Sequence, residues 1–125
     1  MALIKVAEAT GPALDWLVAK CEGYETAFTQ AEDVTIFREG IIDYFDPHRN
    51  WGWGGPIIER IKGFEFKHWL DSKPESCCEV HIHNYDGDWV AFGPTPLIAA
   101  MRCYCCSKLG DVVDIPEELC QQQNS

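Results

Sequence analysis

The stretch "GPTPLIAAMRCYCCSKLGDVVDIP", residues 93–116, constrains the fold more than any other part of the chain. Thr95 stands where a helix cap belongs, Pro96 fits a first helical position, and Gly110 supplies a stop. Between them Leu97, Ile98, Ala99, Ala100, Met101, Cys103, Tyr104, Cys105, Cys106 and Leu109 cover nearly the whole circumference. A helix that is apolar all round has to be covered on several sides, by its own sheet or by another subunit. Arg102 sits in the middle of it. A buried guanidinium without a partner is strongly unfavourable, so Arg102 calls for a carboxylate, for water, or for an anionic ligand.

A second helix is outlined by "TGPALDWLVAKCEG", with Thr10 as cap, Pro12 in the first turn and Gly23 as stop. Its apolar and polar positions separate into two faces. In "EVHIHNYDGDWVAF", Val80 and Ile82 alternate with Glu79, His81 and His83, the pattern of a half-buried strand. An Asp86-Gly87 turn then leads into a hairpin. "LIKVA", "VTIF" and "DVVDI" are weaker strand signals, and "YFDPHRNWGWGGP", residues 44–56, reads as an ordered loop. The expected fold is α+β, one domain over residues 1–125, with two main helices packed on a small, mostly antiparallel sheet.

Composition removes several classes of function. Twenty acidic residues face ten basic ones, for a net charge of −10. Direct binding to nucleic acid is disfavoured, because it needs a basic footprint. No run approaches the length of a membrane span, and the N-terminus lacks the apolar segment of a secretory signal. The seven cysteines are odd in number and read as free thiols of a reducing compartment. The expected location is cytoplasmic, with no membrane partner and no cofactor.

The loop "NWGWGGPIIER" is the first candidate site. Trp51 and Trp53 offer flat faces for stacking, Gly54 and Gly55 admit close approach, and Pro56 can open a short helix. Arg60 stands near enough to add charge. The alternative is structural: indoles in a core or an interface, glycines permitting a turn. The second candidate is the helix start at Thr95 together with Arg102, suited to an anion. The working expectation is that these two regions converge on one hollow. Glu79, His81 and His83 share a strand face at a spacing able to hold a divalent cation, but alternation on any wet strand face looks the same, so no metal is expected. His48 and His68 lie too far along the chain to strengthen that set. No catalytic grouping is legible; Asp43 and Asp46 would form an acid/base pair only if a cleft brought them together.

"ALDWLVAKCEGYE", "GGPIIER" and "GPTPLIAAMRCYCCSKLGDVVDIPEEL" together resemble the NinX family, small proteins of unknown function encoded by tailed temperate phages and prophages. The resemblance runs from about residue 10 to 119 and falls on Asp15, Trp16, Gly55, Pro56, Glu59, Arg60, Gly93, Pro94, Thr95, Pro96 and Arg102. The sequence departs from it at Cys105 and Cys106, where such proteins more often carry small aliphatic residues. The resemblance implies a phage-encoded accessory protein in the cytoplasm of the infected host. The expected function is a non-enzymatic binding module for a small anionic, aromatic ligand such as a nucleotide, sequestering a host defence signal from a homo-oligomer. The alternative is an acidic inhibitor of a host nuclease or defence complex, with a host protein as its partner.

Overall fold

A computed structural model describes residues 2–28, 34–117 and 119. The elements run β1 (Ala2–Lys5), α1 (Gly11–Glu22), β2 (Glu25–Phe28), β3 (Val34–Arg38), β4 (Ile41–Tyr44), α2 (Trp51–Arg60), β5 (Phe64–His68), β6 (Cys78–Asn84), β7 (Gly87–Gly93), α3 (Pro96–Leu109) and β8 (Val112–Ile115). Three small antiparallel sheets result: β1 with β8, β2-β3-β4, and β5-β6-β7. The class is α+β as expected, but with three helices and three sheets.

α3 is the centre. Its residues Leu97 and Ala99 to Cys106 are all buried. β6 and β7 cover one side, α1 and the 3₁₀ turn Val6–Glu8 cover others, and α2 crosses near its start. The coverage the sequence demanded therefore comes from within one chain. The helix begins and ends where its caps predict. Thr95 Oγ1 accepts a hydrogen bond from the Ile98 N–H at 3.2 Å. Gly110, at φ 89°, donates its N–H to Cys106 O.

The sheet that carries most of α3 shows the alternation read from sequence. Cys78, Val80 and Ile82 point inward and are buried, while His83 is exposed. The turn lies one residue earlier than expected. Asn84 pairs with Gly87, so Tyr85 and Asp86 form the two-residue loop. Asn84 Oδ1 accepts from the Asp86 N–H at 2.9 Å and closes it.

Gly93 sets how closely this sheet approaches α3. A Cβ there would lie 2.8 Å from Ala99 N and 3.0 Å from Ile98 Cγ2. The first of these is backbone and cannot turn away. Gly93→Ala is therefore expected to destabilise the chain by about 1–3 kcal/mol, read as a lower urea midpoint with an unchanged m-value.

Candidate functional site

The tryptophan and glycine segment is a helix, not the loop its composition suggests. Three glycines and an internal proline argue against helix, but Asn50 caps it, its Oδ1 accepting from the Gly52 N–H at 2.8 Å. Tertiary contacts supply the rest, overriding weak propensity. Ile57 is buried, and Trp53 meets Phe45 edge-on with ring centroids 5.1 Å apart. At Gly54 an added Cβ would stand 2.5 Å from Leu97 Cδ2 and 3.1 Å from Pro47 O. α2 and the start of α3 thus touch directly, and packed atoms fill the place where a shared hollow was expected.

That contact separates the sequence candidates. Trp51 and Trp53 are two residues apart on a helix and face different ways; Trp51 is exposed and Trp53 half-buried. Gly54 is a packing glycine, while Gly55 is half-buried and Glu59 exposed. Thr95 is exposed, with its hydroxyl engaged in the cap. Arg102 is buried and lines none of the three main clefts. Its Nε donates to Ala9 O at 2.9 Å and its NH1 to Phe92 O at 2.8 Å. Burial lowers its pKa from the usual guanidinium value, while the charge of Glu8 supports the ionised form. The partners of Arg102 are thus chiefly backbone carbonyls, an option the sequence reading did not include.

Arg60 alone among the candidates stands at the main cleft, a cavity of about 470 Å³ at the C-terminal ends of α2 and α3. Arg60, Lys62 and Lys108 line it together with Tyr85, Trp89 and Tyr104. Ile57, Ile61 and Ile82 form apolar wall, Asn84 and Ser107 add polar groups, and Asp86 adds one carboxylate. Both helices direct carbonyl ends this way, which alone would repel an anion; the three cations offset it. Neither Lys62 nor Lys108 has an ion pair among the described residues. Tyr104 donates its hydroxyl to Glu22 Oε2 at 2.6 Å, and burial beside that carboxylate pushes its pKa well up. Glu22 also pairs with Arg60.

On the other side of Arg60 is a smaller cleft of about 340 Å³, lined by Trp53, Pro56, Gly52, Tyr24, Arg38 and Glu22 among others. Arg38 lies over the Trp53 ring at 5.0 Å. Its guanidinium is 3.6 Å from Asp43, so both arginines here already face a carboxylate.

A third cleft, of about 410 Å³, contains a pairing that sequence gave no hint of. His48 donates its backbone N–H to Asp15 Oδ1 at 3.0 Å, and its Nδ1 lies 2.6 Å from Asp15 Oδ2. Asp15, on α1, is buried and clamps the segment before α2. With Nδ1 engaged, Nε2 is the ring nitrogen left for a guest. Among the described residues the lining holds Tyr44, Asp46 and Arg49 but no serine, threonine or cysteine that the dyad could activate. Asp46 is bonded to Arg49 and Asn50, and Asp43 to Arg38, so the two carboxylates raised as an acid/base pair hold separate partners. On the β6 face Glu79 meets His81, and His83 meets Asp88; the three do not converge on one point.

Comparison with known proteins places the chain. A family model described as Bacteriophage P22, NinX matches residues 5–108. The chain belongs to the NinX family. A phage protein from Bacillus cereus ATCC 14579 shares the fold, with a TM-score of 0.60, 21% identity, and coverage of 79% of this chain and 93% of that one. No curated protein matches. The NinX match takes in all three clefts up to Lys108. Among the described residues, no helix is long and apolar enough to cross a membrane. The cysteines of α3 are free, and burial pushes Cys103 up to about 12 and Cys106 to about 11, the behaviour of inert core thiols.

Three outcomes follow for this NinX chain. Arg102→Met leaves the carbonyls of Ala9 and Phe92 without their donors, and unfolding titrations are expected to show a loss of about 1–3 kcal/mol for each. Asp15→Ala strands the two His48 donors at a similar cost of about 1–3 kcal/mol. Burial outweighs the His48 bonds and raises the Asp15 pKa above its ordinary value of 3.8. A raised native pKa favours folding most below the unfolded value, and that contribution fades as pH rises through the native one. The stability of the unaltered chain minus that of Asp15→Asn is therefore expected to fall with pH across that window.

Proposed function

We propose that this phage accessory protein is a non-enzymatic binding module whose main cleft takes a small anionic, aromatic ligand of nucleotide type. One observation carries the reading. In a chain of net charge −10 with only ten basic residues, three of them line a single cleft together with Tyr85, Trp89 and Tyr104. The cavity, about 470 Å³, lies within the range of roughly 300–1,000 Å³ usual for small-molecule sites. Cations and flat rings are the two groups a nucleotide needs: charge for its phosphate and a face for its base. Arg60 is the residue that this reading retains from the sequence candidates.

In a phage setting such a module would hold a host signalling nucleotide out of circulation. Phe37 and Ile42 pair across β3–β4 and, with Tyr44, are exposed, which supports self-association through that hairpin. A second reading, an acid-faced inhibitor of a host nuclease, rests on net charge alone; its complex would dissolve at moderate salt.

Calorimetric titration against linear and cyclic nucleotides tests the first reading. Binding is expected for at least one of them, weakened at least about tenfold by Lys62→Glu together with Lys108→Glu, since charge-assisted contacts are worth about 1.5–3 kcal/mol each. Silence across the series, or affinity indifferent to the double variant, would remove it.

A further inference from the structure

The chain has four histidines, and three of them rest against a carboxylate: His48 on Asp15, His81 on Glu79 and His83 on Asp88. His68 does not. It is exposed at the end of β5 and has no hydrogen bond or ion pair among the described residues. What it faces is a pair of thiols. One donor atom each from His68, Cys77 and Cys78 lies within 4.8 Å of the other two. No other group of three histidine, cysteine or acidic side chains converges in this way among the described residues.

We propose that His68, Cys77 and Cys78 form a binding site for a thiophilic divalent cation of the zinc type. An imidazole with two thiolates is a donor set that Zn²⁺ favours over the hard, oxygen-seeking cations. The spacing fits as well. Two Zn–S bonds of about 2.3 Å at a tetrahedral angle hold their sulfurs about 3.8 Å apart. Cys77 Sγ and Cys78 Sγ are already 3.8 Å apart.

The backbone holds the donors in place. His68 and Cys78 are direct partners across the β5–β6 ladder, so their side chains leave the sheet on one side. The Trp69 N–H donates to Cys77 O at 2.6 Å, and the Trp69 indole N–H donates to Glu79 Oε1 at 2.9 Å, closing the end of the ladder around the site. Cys78 is buried, Cys77 half-buried and His68 open to water, so a cation would enter from the histidine side and keep its fourth position for water or another ligand. On binding, each thiol releases its proton to solvent, and Cys77 gives up the contact its Sγ makes with Pro94 O at 3.5 Å.

The test uses the full chain, reduced, titrated with Co²⁺ and then Zn²⁺. One equivalent of Co²⁺ is expected to bind with thiolate charge-transfer absorption, and Zn²⁺ to displace it. His68→Asn and Cys77→Ser, both outside the core, are each expected to weaken Zn²⁺ binding by more than the ~10–100-fold that outer-sphere partners are worth, with the circular dichroism of the fold unchanged. Failure of the reduced chain to bind either ion overturns the proposal. So does unaltered affinity in either variant, which would place the metal on other thiols.

Discussion

A guanidinium in the middle of a helix with almost no wet side is the constraint around which the rest of this structure is arranged. α3 cannot present Arg102 to water without exposing the leucines and cysteines beside it. The solution is to bring two unsatisfied carbonyls to the guanidinium. One belongs to Ala9, between the N-terminal turn and α1; the other belongs to Phe92, near the end of β7. Arg102 thereby ties three parts of the chain that share no sheet. Each carbonyl would otherwise be an acceptor without a donor at the edge of the core.

Much of this was legible because it is local. Thr95, Pro96 and Gly110 delimit α3 through bonds that span at most four residues. Alternation in residues 79–83 marks β6 for the same reason. α2 was not legible. Its glycines and Pro56 obey the statistics of a loop, and what makes it helical is Trp53 on Phe45 and Gly54 against Leu97, contacts that sequence spacing does not express. The sites are less legible still. Asp15 and His48 are separated by 33 residues, and His68 reaches the cysteines only through a strand register. Both histidines lie far along the chain from the other donors, and that distance is a poor guide once a sheet folds back on itself. Lys62 and Lys108 carried no signal at all; two lone lysines become a feature only where the ends of two helices meet.

Charge is distributed differently from what the total suggests. Several basic side chains are cancelled on the spot: Arg38 by Asp43, Arg49 by Asp46, Arg60 by Glu22. These are exposed pairs of small individual worth, but they confine positive potential to the places where no carboxylate stands close. In the main cleft Lys62 and Lys108 have no ion pair among the described residues, while Arg60 shares Glu22 and Asp86 stands in the lining. On the proposed reading an acidic protein would hold an anion there while the remainder of its surface turns away nucleic acid and other polyanions.

β1 and β8 lie side by side in antiparallel register, Ala2 opposite Ile115 and Lys5 opposite Val112, with the Val6 N–H continuing the ladder to Asp111 O. Tension applied at Ala2 and Ile115 would load the rungs of this ladder in succession instead of sharing the force among them. The seam would open rung by rung from the end that holds Ile115 toward Val6, with a buried side chain to extract at each end.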